Sequence, residues 1–135
     1  MKKIYSKVDN ECLLSVIIRS DEIESERIDL ANPEEPLQAS AKKLSEGERF
    51  KPHRHNRLIR QTETTQEAWV VIKGTILVSL YDLNDVFFGQ FKLNSGDCIL
   101  NFRAGHTFEV ASEGTLLYEF KNGPYMGVEA DKTLI

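Results

Sequence analysis

The sequence predicts an all-β protein of a single domain, with antiparallel strands arranged as a sandwich or barrel. Its 135 residues are enough for one hydrophobic core and too few for two ordinary domains. Short segments rich in β-branched, leucine and aromatic residues alternate with stretches that supply Gly, Asn, Asp and Pro. Many short strands at this spacing are typical of antiparallel sandwiches and barrels.

The predicted strands follow one another along most of the chain. The first is predicted at 13–18, although a short helix within 11–25 stays open as an alternative. Further strands are predicted at 27–31, 37–45, 67–82, 86–93, 97–102, 106–111 and 115–120. We divide the domain into N-terminal strands or arm (1–36), a barrel core (37–120) and an irregular C-terminal arm (121–135).

Composition excludes several classes of protein. The formal net charge of −4 disfavours general nucleic-acid binding, which usually needs a basic face. No apolar run approaches the roughly 20 residues that span a bilayer, so no membrane segment is predicted. The N-terminal residues lack a signal-peptide pattern, and we expect a cytoplasmic protein. Cys12 and Cys98 lack the spacing of a metal site, and we expect buried free thiols.

The three histidines of the chain are the main candidates for chemistry. His53 and His55 lie in "KPHRHNRLIR"; if this stretch is extended, the two side chains point to the same face. In "HTFEV", His106 shares a face with Phe108 and Val110, which predicts that the imidazole points inward. An inward imidazole among apolar residues suggests a functional role.

Two stretches match a known pattern. "GERFKPHRH" and "EAWVVIKG" together resemble the first conserved motif of the cupin superfamily, with Gly47, His53, His55, Glu67 and Gly74 at its positions. The spacing between the second histidine and the glutamate is longer than in most cupins, so "NRLIRQTETTQ" resembles an insertion in a hairpin.

The longer spacing leaves the identity of the acidic residue open, and a second motif lies further along the chain. Glu63 and Gln61 stay as alternatives to Glu67. "GDCILNFRAGHTF" resembles the second cupin motif in altered form, with Gly105 and His106 adjacent. The resemblance covers roughly residues 37–120, and because cupins have many unrelated activities it indicates fold more than function.

The cupin resemblance implies a jelly-roll β-barrel whose mouth gathers His53, His55, Glu67 and His106 around one divalent transition metal. Imidazole nitrogens and one carboxylate suit Zn, Fe, Mn, Ni or Cu. Some small cupins work without metal, and in that alternative His53 or His55 is the catalytic acid or base on nucleotide-linked sugars of cell-envelope polysaccharide synthesis. A non-catalytic ligand-binding protein is the third alternative, so enzymatic activity is left open.

Charge and aromatic residues predict the kind of ligand. The stretch 51–60 carries +4, which leaves −8 for the rest of the chain. Arg57 and Arg103 are therefore predicted to bind a small anionic molecule, with a sugar derivative as one candidate. Trp69 and Tyr118 are candidate stacking surfaces for it. A solvated basic hairpin and ordinary core packing are the alternatives. We also expect a homodimer, since small cupins commonly pair and an exposed edge strand invites covering.

Overall fold

The protein is built almost entirely from β-strands, and the computed structural model describes residues 1–135. The strands are β1 (Lys2–Tyr5), β2 (Leu13–Ile18), β3 (Ile28–Asp29), β4 (Ser40–Ala41), β5 (Glu67–Lys73), β6 (Thr75–Tyr81), β7 (Phe87–Asn94), β8 (Cys98–Asn101), β9 (Gly105–Val110) and β10 (Leu116–Lys121). The helical elements are a 3₁₀ turn at Ser20–Glu22 and α1 (Val128–Asp131). Neither helical element, of 3 and 4 residues, reaches the length that a membrane-spanning helix requires.

Eight of the strands form two antiparallel sheets. The larger sheet has the order β1-β2-β8-β5-β10 and the smaller has the order β7-β6-β9, while β3 and β4 pair separately. All pairings are antiparallel. The predicted all-β antiparallel class is confirmed, and closure of the sheets into a jelly-roll barrel stays a prediction.

The main hydrophobic core lies between the two sheets. Alternate residues of β6 are fully buried because a strand directs every second side chain to the same face. The larger sheet contributes Leu14, Ile17, Trp69, Val71 and Ile99, and the smaller sheet contributes Ile76, Val78, Leu80 and Leu93. This shared core holds the two sheets face to face.

A second apolar cluster covers the other face of the larger sheet. Val16, Ala68 and Leu100 on three neighbouring strands pack against Leu30 and other residues of the segment that contains β3 and β4. The middle of this sheet is therefore buried on both faces. This burial explains why β2 and β5 carry apolar residues at consecutive positions instead of alternating with polar ones.

Gly74 forms the corner at which the chain passes from the larger sheet to the smaller. It is the one residue between β5 and β6, and its φ is +83°, in the left-handed region that favours glycine. A Cβ atom at this position would lie 2.4 Å from Oγ1 of Thr115. The close approach lets the two sheets join without a loop.

The predicted and observed elements differ most between residues 27 and 66. The strands predicted at 27–31 and 37–45 shrink to β3 and β4, of two residues each. Residues 42–66 have no regular secondary structure and are largely exposed, so the extended strand considered for His53 and His55 does not form. Charged residues are frequent there, and Phe50, Leu58 and Ile59 are exposed instead of packed in the core.

Candidate functional site

A cavity of about 370 Å³ opens at one end of the two sheets. Glu67 and Trp69 of β5 line it from the larger sheet, and His106 and Phe108 of β9 line it from the smaller sheet. In both strands the two residues are two positions apart and so project from the same face. The C-terminal segment 131–135 forms part of the wall.

The centre of the cavity is a contact between Glu67 and His106. Nε2 of His106 lies 3.0 Å from Oε2 of Glu67, and Nδ1 of the same ring lies 2.8 Å from the carbonyl oxygen of Ala104. Both ring nitrogens thus face oxygen acceptors, and both can donate at once only in the imidazolium form. The ring is thus held on both sides by oxygen atoms, those of the Glu67 carboxylate and the Ala104 carbonyl.

Two further side chains hold the Glu67 carboxylate in place. Its Oε1 atom lies 3.2 Å from Nε1 of Trp69 and 3.3 Å from Nζ of Lys121. The same two donors also contact Glu119, at 3.0 Å from Trp69 and 3.2 Å from Lys121. Both oxygens of Glu67 are therefore engaged by hydrogen-bond donors, and β5, β9 and β10 all contribute to the network.

This network sets the protonation of Glu67, which is only 3% exposed. Burial by itself raises the pKa of the carboxyl group, but the hydrogen bond from His106 and the positive charges of His106 and Lys121 outweigh it and hold the pKa at about 2. The carboxylate is therefore ionised at neutral pH. For Lys121, burial lowers the pKa, but the hydrogen bond to Glu119 and the charge of Glu67 outweigh it and raise the pKa above its ordinary value.

The four predicted metal ligands are in two separate places. Glu67 and His106 are adjacent in the cavity, whereas His53 and His55 lie exposed in the segment 42–66 and do not line it. The rings of His53 and His55 are neighbours, with centroids 5.4 Å apart. No group of three or more His, Cys, Asp or Glu side chains has a geometry able to hold a metal ion. The complete four-residue donor set is thus not assembled in this structure.

The predicted ligand-binding residues are also divided. Trp69 lines the cavity, and its ring packs edge-on against His106 with centroids 5.2 Å apart. Arg103 instead forms a two-contact ion pair with Glu35, with N–O distances of 2.7 and 3.2 Å. Arg57 is exposed in the segment 42–66. Tyr118 is 62% exposed and does not line the cavity.

The site also contains residues that sequence reasoning missed. Glu119 and Lys121 point inward from β10, and Asp131 of the C-terminal segment is joined to Thr65 by a hydrogen bond. The one sequence signal for these residues was that Glu119 and Lys121 are charged and two positions apart at the end of a predicted strand, so they share a face. Tyr118 and Phe120 at the intervening positions gave the stronger, opposite indication that these aromatic residues face the interior.

Comparisons of the chain with protein-family models, with curated proteins and with solved structures found no match.

Proposed function

We propose that the protein is a cupin-type jelly roll that binds a small polar molecule in the cavity at the Glu67–His106 centre. The observation that carries the proposal is the buried carboxylate–imidazole contact at the open end of two facing sheets. Buried ionisable groups with perturbed pKa values in a cavity are a common property of functional sites. The order of the cupin-like motif residues along the chain also supports this class.

The arrangement suits binding and orientation of a ligand. Glu67 is held ionised, so its role is to fix the orientation of the His106 ring. His106 is then the group that donates a hydrogen bond or a proton to a bound molecule once its contact with Glu67 is rearranged. Trp69 and Phe108 supply aromatic surface beside it, in a T-shaped pair with centroids 4.9 Å apart.

Trp69 makes the proposal directly testable, because it is the single tryptophan of the chain and lines the cavity. We would screen nucleotide-linked sugars, including keto sugars, and small organic acids by tryptophan fluorescence. Binding should be lost in Glu67→Gln and His106→Gln and retained in Glu63→Gln, a matched change in the exposed segment 42–66. Equal binding by all three variants would contradict a site at Glu67–His106.

A divalent transition metal at the cavity is the second candidate function. It is favoured by the adjacency of Glu67 and His106, a carboxylate and an imidazole of the type that binds Zn, Fe, Mn, Ni or Cu. His53 and His55 would have to approach the cavity to complete the set. A bound metal would act as a Lewis acid or hold a ligand oxygen.

Metal content per chain separates this candidate from metal-independent binding. Untagged protein would be reloaded with each metal in turn and analysed by mass spectrometry as wild type, His53→Ala, His106→Ala and Glu63→Gln. We expect the two histidine variants to lose metal and Glu63→Gln to keep it. If the wild type retains none of the metals, the metal candidate is wrong and the metal-independent site remains.

We also propose that the protein is a homodimer formed through β10. This strand is at the edge of the larger sheet, and Leu116, Tyr118 and Phe120 expose more than half of their surface. A second copy would cover both the open edge and these apolar side chains. Sedimentation at micromolar concentration should show a dimer that Phe120→Lys converts to a monomer; a monomeric wild type would contradict the proposal.

A further inference from the structure

One row of side chains on the inner face of the larger sheet is polar. The register places Ser15 opposite Asn101, Asn101 opposite Glu67, and Glu67 opposite Lys121. Directly opposed residues project from the same face, with Cβ atoms about 4.5–5.5 Å apart. The polar row therefore crosses four strands, β2, β8, β5 and β10, and includes the carboxylate that contacts His106.

The adjacent row of opposed residues lies closer to the core. On β2, β8 and β5 it consists of Ile17, Ile99 and Trp69, which are apolar. The polar row is thus the boundary between the core and the open end of the sheets. Its inner members are fully enclosed: Ser15 is 0% exposed and Asn101 is 2% exposed. Polar side chains buried to this extent are normally fully hydrogen-bonded.

Asn101 does not follow that rule. Its Oδ1 atom accepts a hydrogen bond from Oγ of Ser15 at 2.9 Å, but its Nδ2 atom is buried without a partner. Exchanging the oxygen and nitrogen of the amide still leaves one atom without a partner, because the Ser15 hydroxyl can pair with only one of the two. Glu67 is the cross-strand neighbour, but its oxygens accept from Trp69, Lys121 and His106 and not from Asn101.

We propose that Asn101 is a ligand-binding residue whose Nδ2 atom donates a hydrogen bond to a carbonyl or carboxylate oxygen of the molecule held at Glu67–His106. The inference rests on the proposed function and names the chemical class of its ligand. A carbonyl or carboxylate oxygen fits because it accepts without bringing a hydrogen of its own. A hydroxyl group would bring a hydrogen that needs an acceptor of its own, which a carbonyl or carboxylate oxygen does not.

The Nδ2 atom is closed to solvent, which adds a condition to the proposal. Asn101 does not itself line the cavity, so a ligand oxygen reaches it only if the side chains between Asn101 and the cavity shift. Binding should therefore change the nuclear magnetic resonance signals of the Asn101 side-chain amide as well as the fluorescence of Trp69. A molecule that stays at the outer wall would change the fluorescence alone.

The probes for the test are acetate and pyruvate, with glycerol as a comparator that has hydroxyl groups but no carbonyl. We expect acetate or pyruvate to shift the Asn101 amide signals and glycerol to leave them unchanged. Asn101→Asp keeps the shape but removes the donor, and should weaken binding of the probe by about tenfold or more. Asn84→Asp, the same chemical change in the turn between β6 and β7, should bind as the wild type does.

A second measurement separates ligand binding from a structural role of the pair. In Ser15→Ala/Asn101→Leu both partners are apolar, a change that is close to neutral for folding when the pair is not needed for stability. We expect this double variant to keep the melting temperature of the wild type, or to exceed it, and to lose probe binding. A large fall in melting temperature would show that the pair is structural and would overturn the inference.

The two proposals fail in different ways. If Glu67→Gln loses probe binding while Asn101→Asp keeps it, Asn101 is not a ligand-binding residue and the proposed function stands. No response of the wild type to acetate and pyruvate, or a response to glycerol alone, also overturns this inference. The proposed function falls only if the wider fluorescence screen finds no ligand that depends on Glu67 and His106.

Discussion

Replacement of Glu67 by glutamine should cost stability in a pH-dependent way. The carboxyl pKa is lowered from its ordinary 4.5 to about 2, and each pH unit of that difference corresponds to about 1.4 kcal/mol. The ionised carboxylate therefore contributes about 3 kcal/mol to the free energy of unfolding at pH 7. Glutamine keeps the size of the side chain but lacks the charge that faces His106 and Lys121, so we expect Glu67→Gln to lose this contribution.

The sign of the pH dependence follows from the direction of the pKa change. Because the folded protein has the lower pKa, protonation favours the unfolded chain, and the contribution is complete only above about pH 4.5. It decreases as the pH falls toward 2, and at pH 3 about half of it should remain. The difference in stability between wild type and Glu67→Gln should thus fall by about half between pH 7 and pH 3.

Urea unfolding of both proteins at several pH values from 7 to 3, followed by circular dichroism, measures this difference. Glu63→Gln, in the exposed segment 42–66, is the matched control and should stay within about 0.5 kcal/mol of the wild type. A difference between wild type and Glu67→Gln below about 1 kcal/mol at pH 7 would refute the assignment of a buried ionised pair. A difference that stays constant down to pH 3 would refute the low pKa of Glu67.

Two further predictions concern the turns and the thiols. Gly74→Ala should lower the free energy of unfolding by about 3 kcal/mol or more, because the backbone would be strained and the added Cβ would lie 2.4 Å from Oγ1 of Thr115. Gly114 is the control: it also has a positive φ but has open space around it, so Gly114→Ala should cost about 1 kcal/mol. Equal losses in thermal melts would show that the corner at Gly74 is not tightly packed. Burial raises the pKa of Cys98 to about 11, so at pH 8 only about one Cys98 in a thousand is a thiolate. In Cys12→Ala a thiol reagent should therefore react slowly at pH 8 and rapidly after addition of urea; a fast reaction without urea would contradict this burial.

The strands could be predicted where the local pattern of apolar residues shows which side chains are buried in the core. β2 and the strands from β5 to β10 have strong apolar patterns, and they form close to the predicted positions. The apolar residues on both faces of β5 indicated an interior strand, and β8 and β10 flank it. The lengths of β3 and β4 were overestimated, because short runs such as 37–45 have no pattern that shows where a strand ends.

The site was predictable only in part, for a similar reason. The positions of Glu67 and His106 on inward faces follow from the period of two along their strands. The side chains of β10 reverse the usual rule, because Glu119 and Lys121 lie on the face that contacts Trp69 and Glu67, while Phe120 is exposed. The role proposed for Asn101 depends on which strands are neighbours and in which register, and that information is not local to any stretch of sequence.

The long exposed segment 42–66 divides the chain into two pieces that the sheets hold together. Trypsin should cut there first, since Arg54, Arg57 and Arg60 are exposed and have no secondary structure around them. The amino-terminal piece would still supply β2, which hydrogen-bonds to β8 of the other piece and buries Leu14, Val16 and Ile17. Separation of the pieces would expose this apolar surface to water, so the nicked protein should remain one particle in native gels. The two pieces, produced as separate polypeptides, should then reassemble when mixed, with Trp69 fluorescence reporting the moment at which the sheet closes.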